Sequence, residues 1–105
     1  PLGGGRPAQR SAEVFRQILA LKERIERETL PRFSHRRQDN VQALMRHLYA
    51  RPIVDVDMAR RWIGVTTNTA AALITDLTAQ GILTEVTGRR RNRLFAFREY
   101  LDLFR

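Results

Sequence analysis

Cysteine is absent from the 105-residue chain, so neither a disulfide framework nor a thiolate metal site can form, and a reducing cytoplasm is the expected location. Histidine is scarce: His35 and His47 stand alone without companion ligands, so no metal or cofactor is expected. No apolar run is long enough to span a bilayer, and Pro1 to Gln9 lacks the apolar segment of a signal peptide, so no membrane partner is expected. Lysine is nearly missing as well. Of 19 basic residues all but Lys22 are arginine, and they leave a formal net charge of +8. Arginine's planar fork binds two phosphate oxygens at once and stays charged at any ordinary pH, so a polyanionic partner is favoured. A chain this short builds one modest core and no deep cleft between lobes. No nucleophile, base and oxyanion donor set can be assembled, which excludes an enzyme.

What is present is concentrated between Asp55 and Phe97. Asp55 can cap a helix in which Val56, Ala59 and Ile63 recur at helical spacing, and Gly64 ends it in a left-handed conformation. Thr66 can cap a second helix reaching Gln80, where Ala70, Leu73, Ile74 and Leu77 share one face and Asn68, Ala71, Ala72 and Thr75 the other. Gly81 stops that helix, Ile82 to Thr87 suits a strand, and Leu94 to Phe97 a returning partner. Between them Gly88 opens the run Arg89, Arg90, Arg91, Asn92, Arg93. The pattern predicts a winged helix-turn-helix with the arginine run at the wing tip.

Upstream, Pro1 to Arg10 holds three successive glycines and two prolines and is expected to be a disordered leader. Ser11 can cap a long amphipathic helix over residues 11–33, with Val14, Phe15, Ile18, Leu19, Leu21 and Ile25 as a broad apolar stripe. The polar segment from Ser34 to Asn40 marks a boundary, so the winged unit is placed at 34–105. Its first helix carries Val41, Leu44, Met45 and Leu48 and ends before Pro52, ahead of an extended Ile53 and Val54. Tyr100, Leu101, Leu103 and Phe104 predict a short closing helix. The fold class is therefore mainly α with a small β-hairpin, a winged helix-turn-helix preceded by one long helix. An apolar stripe of this size needs a partner, either Leu101 and Phe104 of the same chain or the long helix of a second copy in a homodimer.

From about Val14 onward, the segments ILALKERIER, PIVDV, WIGVTTNTAAALITDLTAQGIL and EVTGRRRNRLFAFREYLDLF resemble the C-terminal part of Fic family proteins, which often append a winged helix to their catalytic domain. The resemblance implies that Ile18 to Arg27 belongs to the last helix of a Fic domain and Ser34 to Arg105 to the appended module, with the Fic catalytic domain as partner in a longer protein. Fic enzymes carry a motif of the form HPFxxGNGRxGR, and neither His35 nor His47 lies in one, so the resemblance implies no transferase activity for this chain. Arg60, four residues before Gly64, stands where helix-turn-helix sequences usually place a small residue.

The expected partner is double-stranded DNA, bound by a bacterial-type transcription regulator. Thr67, Asn68, Thr69, Ala71 and Thr75 would enter the major groove, Asn68 facing an adenine edge and the threonines thymine methyls. Arg89, Arg90, Arg91 and Arg93 would hold backbone or minor groove, with Arg61 and, more weakly, Arg36 and Arg37 on phosphate. The helix from Thr66 to Gln80 has no lysine or arginine, and Asp76 makes it negative. That composition keeps open an alternative from another class, a docking module that regulates a Fic catalytic domain or mediates dimerisation without touching DNA. Trp62 and Met58, four apart, are expected to pack and not to stack on bases.

Overall fold

Local capping chemistry sets most of the helix limits. The chain is described by a computed structural model, with side chains from Arg10 onward, and the leader expected over residues 1–10 falls, Arg10 apart, on residues outside that description. The first helix, α1, is bounded at Leu2–Arg24. Arg10 is already helical, so Ser11 stands inside the helix and not at its cap. A π-helical turn Ile25–Thr29 and a 3-10 turn Leu30–Arg32 carry α1 to its end at Pro31 and Phe33.

Helix α2 spans His35–Ala50 and so starts earlier than the periodicity at Val41 predicts. The polar residues 35–40 do not interrupt it because they form its opening turns: the Ser34 carbonyl accepts from the Arg37 and Gln38 amides at 3.0 and 2.9 Å. The Gln38 side chain also donates to the Phe33 carbonyl at 3.0 Å. Strand β1 (Ile53–Val54) leads into α3 (Val56–Ile63), whose first turn is capped by the Asp55 carboxylate accepting from the Met58 amide at 2.7 Å. Gly64 closes α3 at φ +68°, as predicted; no atom lies where a Cβ would stand, so the backbone conformation alone requires glycine. Helix α4 is Thr67–Ala79, capped by Thr66.

Gly81, at φ +80°, turns the chain, and the amides of Ile82 and Leu83 both bond back to the Leu77 carbonyl, at 2.9 and 3.3 Å. Those two donors are spent on the helix end, so β2 is only Thr84–Glu85 and not the longer strand predicted from residue 82. Its partner β3 is Phe95–Ala96. Both neighbours of β3 are antiparallel, in the order β1-β3-β2, with Val54 and Glu85 opposite Phe95. The extended Ile53 and Val54 thus add a third strand to the expected hairpin.

One cluster joins all of this: Leu44 and Leu48 of α2, Val54 of β1, Ala59 of α3, Leu73 and Leu77 of α4, Leu83 and Phe97 are almost wholly buried. Arg60 reaches outward to Asp57 and not toward α4, while its neighbour Ala59 and Ala70 of α4 are both fully buried. Met58 and Trp62 pack against the core, Trp62 also stacking on His47 with ring centroids 5.1 Å apart. Helix α5 (Arg98–Asp102) returns to α1 and α2: Glu99 pairs with Arg24, and the Tyr100 hydroxyl donates to the Tyr49 carbonyl at 2.8 Å. Burial, aided by Glu26 and Tyr100, pushes the Tyr49 hydroxyl up to about 12.

The α1 stripe divides. Leu21 and Ile25 enter the core, whereas Phe15 and Leu19 remain 60% and 49% exposed. Val14, Phe15 and Ile18 border a shallow apolar depression with Phe104, itself 53% exposed. No helix among the described residues is long and apolar enough to cross a membrane.

Candidate nucleic-acid interface

The cap of α4 fixes what its first turn can offer. The Thr66 hydroxyl accepts from the Thr69 amide at 3.1 Å and donates to the Thr69 hydroxyl at 3.0 Å. Thr69 is therefore tied into the cap, and by helical spacing it lies well round the helix from Ala71 and Thr75. Thr67, Asn68, Ala72 and Thr75 are exposed, with Ala71 half-buried among them, while Ala70, Leu73, Ile74 and Leu77 anchor the opposite side. The outer face of α4 is thus smooth, uncharged and small enough for close backbone approach. Asp76 is turned away from it into an ion pair with Arg37 at 2.6 Å. This tie binds the start of α2 to the middle of α4 and offsets the helix's one negative charge. It also engages Arg37, a weaker phosphate candidate, whose guanidinium lies over the Phe33 ring at 5.2 Å. Arg36 is exposed.

The wing is held by a residue that the sequence reading missed. One oxygen of Glu85 accepts from the Thr87 amide at 3.0 Å, the Thr87 hydroxyl at 2.6 Å and the Gly88 amide. Its other oxygen pairs with Arg93 at 3.4 Å. Thr87 extends the staple across the hairpin by accepting from the Leu94 amide at 3.3 Å, and the Val86 amide bonds to the Leu94 carbonyl. These donors, the Thr87 hydroxyl first and then the Gly88 amide, hold the Glu85 carboxyl below its usual range, so it remains charged. The signal available in sequence was an acidic residue two before a threonine and three before a glycine, a short side-chain turn at the wing's base.

Beyond that staple the tip turns through two left-handed residues, Gly88 at φ +67° and Asn92 at φ +54°. Arg89 donates to the Asn92 carbonyl at 3.2 Å, and Arg93 lies over the Phe95 ring at 5.3 Å. Among the described residues, no carboxylate pairs with Arg89, Arg90 or Arg91, and all three are exposed. Arg61 differs: it shares the Asp57 carboxylate with Arg60, at 3.1 and 2.8 Å, so the trio keeps one net positive charge. The Arg60 hydrogen bond, with help from Arg61, keeps Asp57 ionised below its ordinary range.

The wing and α4 meet across a single open cleft. Thr67, Ala71 and Thr75 form one wall, Arg90, Asn92 and Arg93 another, and Asp55, Asp57 and Phe95 also border it. The sequence-predicted Thr67, Ala71, Thr75, Arg90 and Arg93 are thus brought together. Asn68 lies on the outer edge of the same helix face, Arg89 and Arg91 lie at the tip beyond the cleft, and Thr69 and Arg61 stand apart with their own partners. No group of acidic or histidine side chains suited to a metal ion occurs among the described residues.

A family model described as an HTH DNA binding domain matches residues 41–96, a little over half of the chain, running from within α2 to the end of β3. Neither the curated proteins nor the solved structures provide a match.

Proposed function

Because the chain belongs to the helix-turn-helix DNA-binding domain family, we propose that it binds double-stranded DNA with the outer face of α4 in the major groove and the arginine wing on the flanking backbone or minor groove. The observation that carries this is the shared cleft, in which an uncharged reading face and two wing arginines border the same space. Phosphate contacts position a protein and base contacts specify, and the two elements divide along that line. Thr67, Asn68, Ala71 and Thr75 are the reading residues; Arg89, Arg90, Arg91 and Arg93 hold phosphate, with Arg61 a lesser contributor and Thr69 supporting the cap. On the Fic resemblance, the chain serves as the regulatory C-terminal module of a cytoplasmic transcription regulator and performs no catalysis itself. Fluorescence anisotropy on mixed-sequence duplexes at two salt concentrations tests the proposal. Binding that weakens steeply as salt rises is expected, and no binding even at low salt would remove it.

A second reading, of α1 as a pairing surface, is favoured by the exposure of Phe15, Leu19 and Phe104. Arg16 and Glu23 lie on one flank of that stripe, three residues before Leu19 and three after Ala20; an antiparallel second copy would set each Arg16 near its partner's Glu23, in exchange for their present pairs with Glu13 and Arg27. Sedimentation at micromolar concentration is expected to give a dimer that Phe15→Glu with Leu19→Glu returns to monomer. A parent that already sediments as a monomer would leave the stripe to another part of a longer protein.

A further inference from the structure

Building on the DNA-binding reading, we propose that the recognition helix selects A·T-rich sites and does so through thymine methyl groups. The commonest base-specific contact, arginine or lysine on the guanine O6 and N7 acceptors, is unavailable because α4 carries neither residue. Cytosine is read by a carboxylate accepting from N4, and the only acid on α4, Asp76, is held by Arg37 away from the outer face. The two acids that border the cleft are committed too: Asp55 caps α3 through the Met58 amide, and Asp57 holds Arg60 and Arg61. The face therefore lacks every strong reader of a G·C pair.

What it offers instead is methyl surface with one amide. Thr67, Ala71, Ala72 and Thr75 present methyl groups at successive positions along the helix, and such groups find their match in the C5-methyl of thymine. Asn68 supplies the one side chain able to bond adenine N6 and N7 together. The Thr78 hydroxyl donates to the Ile74 carbonyl at 2.7 Å and the Thr69 hydroxyl accepts from Thr66 within the cap, whereas Thr67 and Thr75 carry no such local bond. The wing reinforces the choice. Arginine is drawn to the narrow, strongly negative minor groove of A-tracts, and a G·C pair places an amino donor there that repels it.

The test uses the full chain and fluorescence anisotropy on three duplexes of one length: an A·T-rich site, a G·C-rich site, and the A·T-rich site with thymine replaced by uracil. Uracil removes the methyl and leaves the hydrogen-bonding edges unchanged. The A·T-rich duplex should bind roughly a hundredfold tighter than the G·C-rich one, and the uracil duplex should lose about tenfold of that advantage. Asn68→Ala should weaken the A·T-rich complex by about tenfold with little effect on the G·C-rich one. Equal binding to the A·T-rich and G·C-rich duplexes would overturn the inference and leave the DNA-binding reading standing. An A·T preference fully kept by the uracil duplex would also overturn it, assigning the selection to Asn68 and the wing. No binding to any duplex at low salt would remove the underlying reading itself.

Discussion

Phe97→Ala should lower the unfolding free energy by about 3 to 5 kcal/mol, a large fraction of the roughly 5 to 15 kcal/mol that holds a domain together. Phe97 is fully buried and is the largest side chain in the core to be so. Its ring stacks on Tyr100 at 5.3 Å and tilts against Tyr49 at 5.5 Å, so one side chain ties together the sheet, α2 and α5. Its amide also bonds to the Pro52 carbonyl at 2.8 Å, beside β1. Removing the ring deletes buried apolar area and leaves a cavity that three separate elements cannot easily collapse to fill. Urea unfolding should show a lower midpoint at an unchanged slope. Phe104→Ala, at a residue 53% exposed, serves as the contrast and should cost far less. Equal losses from the two substitutions would mean that Phe97 is not the joint described.

Phe97 also illustrates where sequence reading stops. Features governed by neighbours in the chain were legible: the Asp55 and Thr66 caps, the left-handed Gly64, the stop at Gly81, and the two faces of α4 follow from residues acting within a turn of themselves. Features that depend on distant partners were not. Nothing in Ile53 and Val54 announces that Phe95 and Ala96 will pair with them, and the short β2 follows from Leu77 capturing the amides of Ile82 and Leu83. The same division runs through the site. Periodicity places Thr67, Ala71 and Thr75 on one strip, but their meeting with Arg90 and Arg93 depends on how the wing folds back over Phe95. Composition made α4 look ill-suited to a polyanion, because the Asp76 charge is countered by Arg37 from another helix, 39 positions earlier in the chain. Thr69, expected in the groove, also accepts from the Thr66 hydroxyl, a tie that its residue type did not announce.

Replacing Arg89, Arg90 and Arg91 together with alanine should flatten the salt dependence of duplex binding, reducing the slope of log affinity against log salt by roughly 2 to 3. Each phosphate neutralised by an arginine releases about one condensed counterion, so three lost contacts set the upper end of that change. These three are chosen because no carboxylate holds them among the described residues, whereas Arg93 leans on Glu85 and Arg61 on Asp57. Arg61→Ala should accordingly change the slope by less than one, since removing it lets Asp57 turn fully to Arg60. The weakening from the triple change should be similar on every duplex, because phosphate carries no sequence information. Asn68→Ala supplies the opposite signature: an almost unchanged slope, with a loss of about 1 to 3 kcal/mol confined to a preferred sequence. Stability offers no competing explanation, for the three arginines lie at an exposed tip beyond the Glu85 staple and contribute nothing to the core. A triple variant with the parent's thermal midpoint and the parent's salt slope would show that the wing tip does not meet phosphate. The positive charge required by a polyanion would then have to be sought along α2 and α3.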